Sequence, residues 1–186
     1  MMLVVYKKLK PLCIFLFALT TVGCAAGARL ENMAYSGIQK EYDGRLENEI
    51  SISSTTGGQE TNPLWTSQIS SAAFHAALQM SLSNQGLFSE TGEYQLSAQL
   101  TGIDQPFFGA NFTVTTSIRY IIEDRRDNSI LMDEVIVTPF TATFGDNFLG
   151  SERLRLANEG SARENISRLL ERLENMEINP VSISLN

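Results

Sequence analysis

The chain has 186 residues and sets 21 acidic side chains against 14 basic ones, a net charge of −7. That surplus repels phosphate backbones and anionic headgroups, which argues against nucleic acid as a partner and against attachment to a membrane by surface charge. Hydrophobic residues make up 43% of the sequence, enough for one domain of ordinary size with no disulfide support.

The first element is a leader. Lys7, Lys8 and Lys10 precede the apolar run Leu12–Val22, "LCIFLFALTTV". At about 1.5 Å per residue this run reaches only about half of a ~30 Å hydrocarbon core, so it fits a secretory h-region and not a membrane span. The run closes on Val22-Gly23-Cys24-Ala25, which resembles the bacterial lipobox, with Thr21 where that motif most often has Leu. The resemblance implies removal of residues 1–23 as a signal peptide and lipidation of Cys24. Cys13 would leave with the signal, so Cys24 would be the single cysteine of the mature chain, with no disulfide and no cysteine metal site available. The plainer alternative is an ordinary signal peptide cut nearby, with Cys24 left as a free thiol. Removing the three lysines leaves 11 basic residues against 21 acidic ones, a net charge of −10. On so acidic a chain the acyl groups would have to supply the attachment to the membrane. Ala25, where Asp is absent, implies by the same resemblance export to the outer membrane with the domain facing the periplasm.

Residues 24–45 show no clear period and include Gly27, Gly37 and Gly44, so they read as a lipid-anchored tether, with a short edge strand around Tyr35–Tyr42 as an option. A single domain spanning 46–178 follows. Leu46, Ile50 and Ile52 alternate in a first strand over 46–54, which Gly57, Gly58 and Pro63 break. The stretch from Trp65 to Gln85 predicts a helix capped by Thr66 or Ser67. Phe74, Ala77, Leu78, Ser81 and Leu82 form one buried face, and Gly86 stops the helix.

Three strands come next. Tyr94, Leu96, Ala98 and Leu100 alternate with polar residues, and Phe112, Val114, Ile118, Tyr120 and Ile122 share one parity. The turn at 124–128 leads into a strand over 130–138 whose apolar parity shifts from Ile130 and Met132 to Val135 and Val137, as a bulge near Asp133–Glu134 or burial on both faces would explain. Pro139 is expected to end the pairing. A long helix from Ser151, its N-cap, to about Glu177 carries the stripe Leu154, Ala157, Ala162, Ile166, Leu169, Leu170, Leu173 and Met176, with Arg and Glu elsewhere. Gly160 in its middle costs about 1 kcal/mol relative to Ala, which points to a close neighbour there. Residues 179–186 form a C-terminal tail. The order β-α-β-β-β-α predicts an α+β two-layer sandwich: an antiparallel sheet of about four strands with two helices on one face.

No catalytic, cofactor-binding or metal site stands out. His75, the only histidine, lies beside Phe74 and reads as a packed helix residue, and no serine sits in a G-x-S-x-G elbow. The acidic clusters at 124–129 and 145–152 lack calcium-loop spacing and read as turns and caps. The most informative feature is aromatic. "PFFGANF" (Pro106–Phe112) and "PFTATFGDNFLG" (Pro139–Gly150) hold Phe107, Phe108, Phe112, Phe140, Phe144 and Phe148, in loops that a meander brings to one end of the sheet. These rings either cap the core or form an exposed apolar patch for a protein partner or a lipid chain.

With "FHAALQMSLSNQGLF" as first helix and turn and "RLANEGSARENISRLLERL" as final helix, the element order resembles the lipopolysaccharide-assembly lipoproteins and related auxiliary lipoproteins of envelope transport systems. The resemblance implies a non-enzymatic accessory or scaffold subunit of an envelope transport or assembly machine, without cofactor, held to the outer membrane and bound to a protein partner there or in the periplasm. A lipid- or hydrophobic-ligand-binding lipoprotein is the alternative, and an envelope enzyme a second one.

Overall fold

The computed structural model describes residues 26–62 and 66–178. The expected signal peptide, Cys24, Trp65 and the tail 179–186 lie outside the described residues.

Four strands form one sheet in the order β1 (Ile50–Thr56), β2 (Tyr94–Asp104), β3 (Phe112–Asp124) and β4 (Ser129–Ala142). Three helices accompany them: α1 (Leu30–Met33), α2 (Ser71–Asn84) and α3 (Gly150–Glu174). The fold is α+β in two layers, with α2 and α3 covering one face of the sheet. β2, β3 and β4 are the expected antiparallel meander, but β1 runs parallel to β2, so the sheet is mixed and not antiparallel throughout. The reason is the connection: α2 carries the chain from the end of β1 back to the level where β1 began, and a strand reached through such a crossover runs parallel to its predecessor.

Alternation decides which face is covered. Tyr94, Leu96, Ala98 and Leu100 of β2 point into the core with Val114, Ile118, Tyr120 and Ile122 of β3. Phe74, Ala77, Leu78, Ser81 and Leu82 of α2 pack onto this side, the set that the helical spacing predicts. The helix begins later than its sequence suggests, however. Ser70 caps it by accepting the Ala73 amide at 3.1 Å, so neither Thr66 nor Ser67 is the cap. Gly86, at φ +71°, lets the chain reverse so that the Leu87 amide reaches the Leu82 carbonyl.

β4 is longer than expected. Pro139 stays in register opposite Thr115, and pairing continues to Ala142. As the outer strand, β4 has one row of backbone groups outside the ladder, and a proline's missing N–H is tolerated there. The bulge falls at Leu131, two residues before the expected place, because Ile122 pairs with Met132 while Glu123 pairs with Ile130. It turns Val135 and Val137 onto the open face, where both are exposed, and Ile136 onto the covered one.

The long helix α3 differs from its apolar stripe in an informative way. It starts at Gly150 after Leu149 with no side-chain cap, so Ser151 does not cap it. Its buried side includes Arg153, Arg155, Asn158, Glu159, Ser161 and Asn165. Ser161 and Asn165 form a buried polar network with β3 and β4. Asn165 Nδ2 donates to the Ile136 carbonyl at 2.9 Å, its Oδ1 accepts from the Tyr120 hydroxyl at 3.0 Å, and Ser161 Oγ donates to the Thr138 carbonyl at 2.8 Å. The Thr116 amide donates to Ser161 Oγ at 3.0 Å, beside the place where the β2–β3 register slips between Leu100 and Gly102. Burial raises the Tyr120 phenol well above its usual range, so it remains a hydrogen-bond donor.

The expected tether is a packed part of the domain from Ala28 onward. Ala28, Met33, Ala34 and Leu46 are buried. The Ala28 amide donates to the Gln68 carbonyl at 3.0 Å, the Tyr35 amide to Ser81 Oγ at 2.8 Å, and the Lys40 amide to Gln85 Oε1 at 3.0 Å. No strand forms over Tyr35–Tyr42, and Leu46 lies in a single 3-10 turn before β1. Side chains and isolated amides hold this segment, not a ladder or a long helix, so it has no period to read.

Candidate functional site

The meander brings the chain leaving β2 and the chain leaving β4 to the same end of the molecule, where α3 begins. Phe107 is 99% exposed, Phe108 88%, Phe148 73% and Phe144 60%, with Leu149 beside them at 48%. These four rings stand in solvent and do not cap the core. Phe112 is the exception that caps the core: it is buried in a small cluster with Val114, Ala142, Leu154 and Ala157.

Phe140 does not belong to the patch. It lies inside β4 on the covered face, half-buried, and its ring occupies the space over Gly160. A Cβ at Gly160 would stand 2.3 Å from Phe140 Cδ1. This is the close neighbour that a mid-helix glycine implies. An open groove of about 350 Å³ runs beside Phe140, between α1 and α3, with Asn32, Glu159 and Arg163 among its lining residues.

The two exposed loops are fixed to each other by Arg153, a residue whose role the sequence pattern does not disclose. Its guanidinium donates from Nη1 to the carbonyls of Asn147 (2.8 Å) and Phe148 (2.9 Å), and from Nη2 to that of Gly109 (3.3 Å). It also lies 5.1 Å from the centre of the Phe112 ring and 5.3 Å from that of Phe144. Arg153 is 5% exposed, so its charge is spent on loop carbonyls and aromatic faces inside the protein. The Phe144 amide donates to Asn111 Oδ1 at 3.3 Å, which adds a second link between the loops. Asp146 closes the turn by accepting the Thr143 amide (2.7 Å) and hydroxyl (2.8 Å), bonds that hold its carboxyl below the usual carboxylate range. The aromatic rings are therefore exposed on a braced support.

The N-terminal segment meets the domain near this same end. Gln105, the residue before Pro106, donates from Nε2 to the Ser67 carbonyl at 3.2 Å and to Asn158 Oδ1 at 2.6 Å. The next residue, Gln68, receives the Ala28 amide. Arg29 and Asn32 are then held by Glu159 of α3, and Arg163 reaches the Asn32 carbonyl at 2.7 Å.

His75 is half-buried, with Nδ1 3.1 Å from Thr55 Oγ1. Among the described residues no three His, Cys, Asp or Glu side chains converge as a metal site. Also among them, no helix is long and apolar enough to cross a membrane.

No protein-family model matches the sequence, and no curated protein aligns with it. The fold does have counterparts among solved structures. A Xanthomonas campestris protein of the DUF330 family superposes with a TM-score of 0.54 at 6% identity, over 75% of this chain and 93% of that one. A hypothetical protein from Chlamydia trachomatis gives 0.51 at 11% identity, over 70% and 97% of the two chains. A minor lipoprotein from Acinetobacter baumannii gives 0.45 at 9% identity, over 72% and 98%. The first two share this fold, and at such identities they show nothing beyond the fold.

Proposed function

We propose that this chain is a bacterial lipoprotein anchored through acylated Cys24, facing the periplasm from the outer membrane and serving as a non-enzymatic accessory or scaffold subunit of an envelope transport or assembly machine. The observation that carries the anchored reading is one of spacing. The lipobox-like Val22-Gly23-Cys24-Ala25 stands immediately before a folded segment whose first backbone hydrogen bond to the domain is made by Ala28. Cleavage before Cys24 would remove the leader and leave the folded segment whole.

Two features support a binding role. The open face of the sheet is polar on β3, with Thr113, Thr115, Ser117 and Arg119, and apolar on β4, with Val135 and Val137 exposed beside an outer strand edge. Such an edge is a natural docking line for another chain. The space between sheet and helices is filled by Phe74, Leu78, Tyr94 and Tyr120, which favours a scaffold over a carrier that encloses lipid. The experiment is a pull-down from solubilised envelopes with the wild-type chain and with Val135→Lys/Val137→Lys. A stoichiometric partner retained by the first and lost by the second is the expected result. Lipid co-purifying in stoichiometric amount, with no protein, would support the carrier instead.

A further inference from the structure

The lipoprotein reading leaves open how the domain stands on its membrane. We propose that the aromatic end is a bilayer-contact surface, with Phe107, Phe108, Phe144 and Phe148 seated in the lipid that holds the Cys24 anchor. This inference rests on the anchored reading and adds an orientation and a second membrane contact to it.

Three observations carry it. The first is chain length. Three residues separate Cys24 from Ala28, and the four Cα–Cα steps span at most about 14 Å even when fully extended. Ala28 is held by Gln68, and the adjacent Ser67 is held by Gln105, which directly precedes Pro106-Phe107-Phe108. The lipidated residue can therefore lie only close to the aromatic end. The far end of the sheet, with the 125–128 turn and the 89–93 loop, is out of its reach.

The second is the exposure and bracing of the rings. Four exposed phenylalanines and Leu149 in water are costly as a patch; Arg153 and Asn111 hold their loops in place, and the Arg153 guanidinium covers part of the Phe144 ring alone. Phenylalanine and leucine side chains entering the headgroup–acyl boundary by about 5–10 Å would be covered there, and two membrane contacts anchor far better than one acyl group alone.

The third is charge. The chain at this end, over 57–62, 66–70, 104–111 and 143–152, carries four of the 21 acidic residues, Glu60, Asp104, Asp146 and Glu152, and Glu152 is paired with Arg155. Most of the acidic surplus lies elsewhere: at the opposite end Glu49, Glu90 and Asp127 add to it, while Asp43, Glu93 and Glu174 are paired with Arg45, Arg126 and Lys40. A domain so charged turns its aromatic end to the bilayer and its acidic end away.

The test uses the full-length chain purified with its lipid from bacterial membranes and placed in phosphatidylethanolamine–phosphatidylglycerol vesicles with brominated acyl chains. In a Trp65→Phe background, Phe108→Trp reports the aromatic end and Glu90→Trp the opposite one; both replaced residues are exposed, so folding is retained. The expected result is blue-shifted, bromine-quenched emission from position 108 and unshifted, unquenched emission from position 90. Unquenched emission from position 108 on a chain whose Cys24 is shown by mass to be acylated would overturn the membrane contact, including the case where emission shifts only on adding envelope protein. An unmodified Cys24 would overturn the anchored reading itself, and this proposal with it.

Discussion

The backbone amide of Arg29 donates to the carboxylate of Glu159 at 3.0 Å, across 130 positions of sequence. The same carboxylate accepts Asn32 Nδ2 at 2.8 Å and Arg155 Nη1 at 2.8 Å, and Glu159 is 1% exposed. α1 has no side-chain cap of its own, so a residue of α3 supplies one. The charge sits in the protein interior because an arginine and two N–H donors satisfy it. This contact makes the segment from Ala28 to Ala34 part of the folded domain.

Glu159→Ala would leave Arg155 with Glu152 alone and α1 uncapped. Removing one partner of a buried pair costs on the order of 3 kcal/mol. Urea unfolding should show a loss of that size, and hydrogen exchange should show the amides of 28–35 losing protection ahead of the sheet. Glu159→Gln retains one acceptor oxygen and should lose less.

Asn165 joins α3 to β3 and β4 inside the protein, with the Thr116 and Thr138 hydroxyls 3.3 Å and 3.1 Å from its Nδ2. Asn165→Leu would leave the Ile136 carbonyl and the Tyr120 hydroxyl without their partner. Each buried orphan costs about 1–3 kcal/mol. We expect a stability loss of at least about 2 kcal/mol, read as a lower urea midpoint at unchanged m-value.

Gly160 gives a prediction whose sign opposes helix propensity. Alanine in mid-helix is worth about 1 kcal/mol over glycine. Here its Cβ would stand 2.3 Å from Phe140 Cδ1, and overpacking of this kind costs about 1–3 kcal/mol. Gly160→Ala should destabilise, and adding Phe140→Leu should return part of the loss. A double-mutant cycle by thermal melting measures that coupling.

Much of this architecture was legible because alternation and helical spacing report which residues face a core. β2, β3 and the buried set of α2 follow those patterns residue by residue. The patterns do not report strand direction, so the parallel placement of β1 came only from the crossover. Pro139 reads as a strand end, and Phe140 as a loop residue, because sequence does not show which strand lies at the edge. α3 hid its functional side chains because a stripe of apolar residues leaves Arg153, Glu159 and Asn165 on what reads as a solvated face. Their signal was the run of small residues Ala157, Gly160, Ser161 and Ala162 beside them, which marks close contact with neighbouring elements. The aromatic loops are visible in the sequence; their bracing by Arg153 needs the fold.

Acid should weaken the far end through the Asp124 carboxylate. Asp124 is buried and accepts from Arg126 at its amide (2.9 Å), Nε (2.9 Å) and Nη2 (2.6 Å), which lowers its pKa. A carboxylate depressed by folding contributes fully above the unfolded value of ~4 and loses that contribution as pH falls through the lower folded value. Urea midpoints measured between neutral and strongly acidic pH should fall in the wild type below pH ~4, and less steeply in Asp124→Asn.

The central claim, a lipid-anchored domain that begins at Cys24, is tested most directly by the mass of the N-terminal peptide of the chain isolated from bacterial membranes. The account predicts a peptide that starts at Cys24, lacks residues 1–23 and carries acyl chains on the cysteine. A peptide with a free Cys24 thiol, or one that retains the residues before it, would contradict the account.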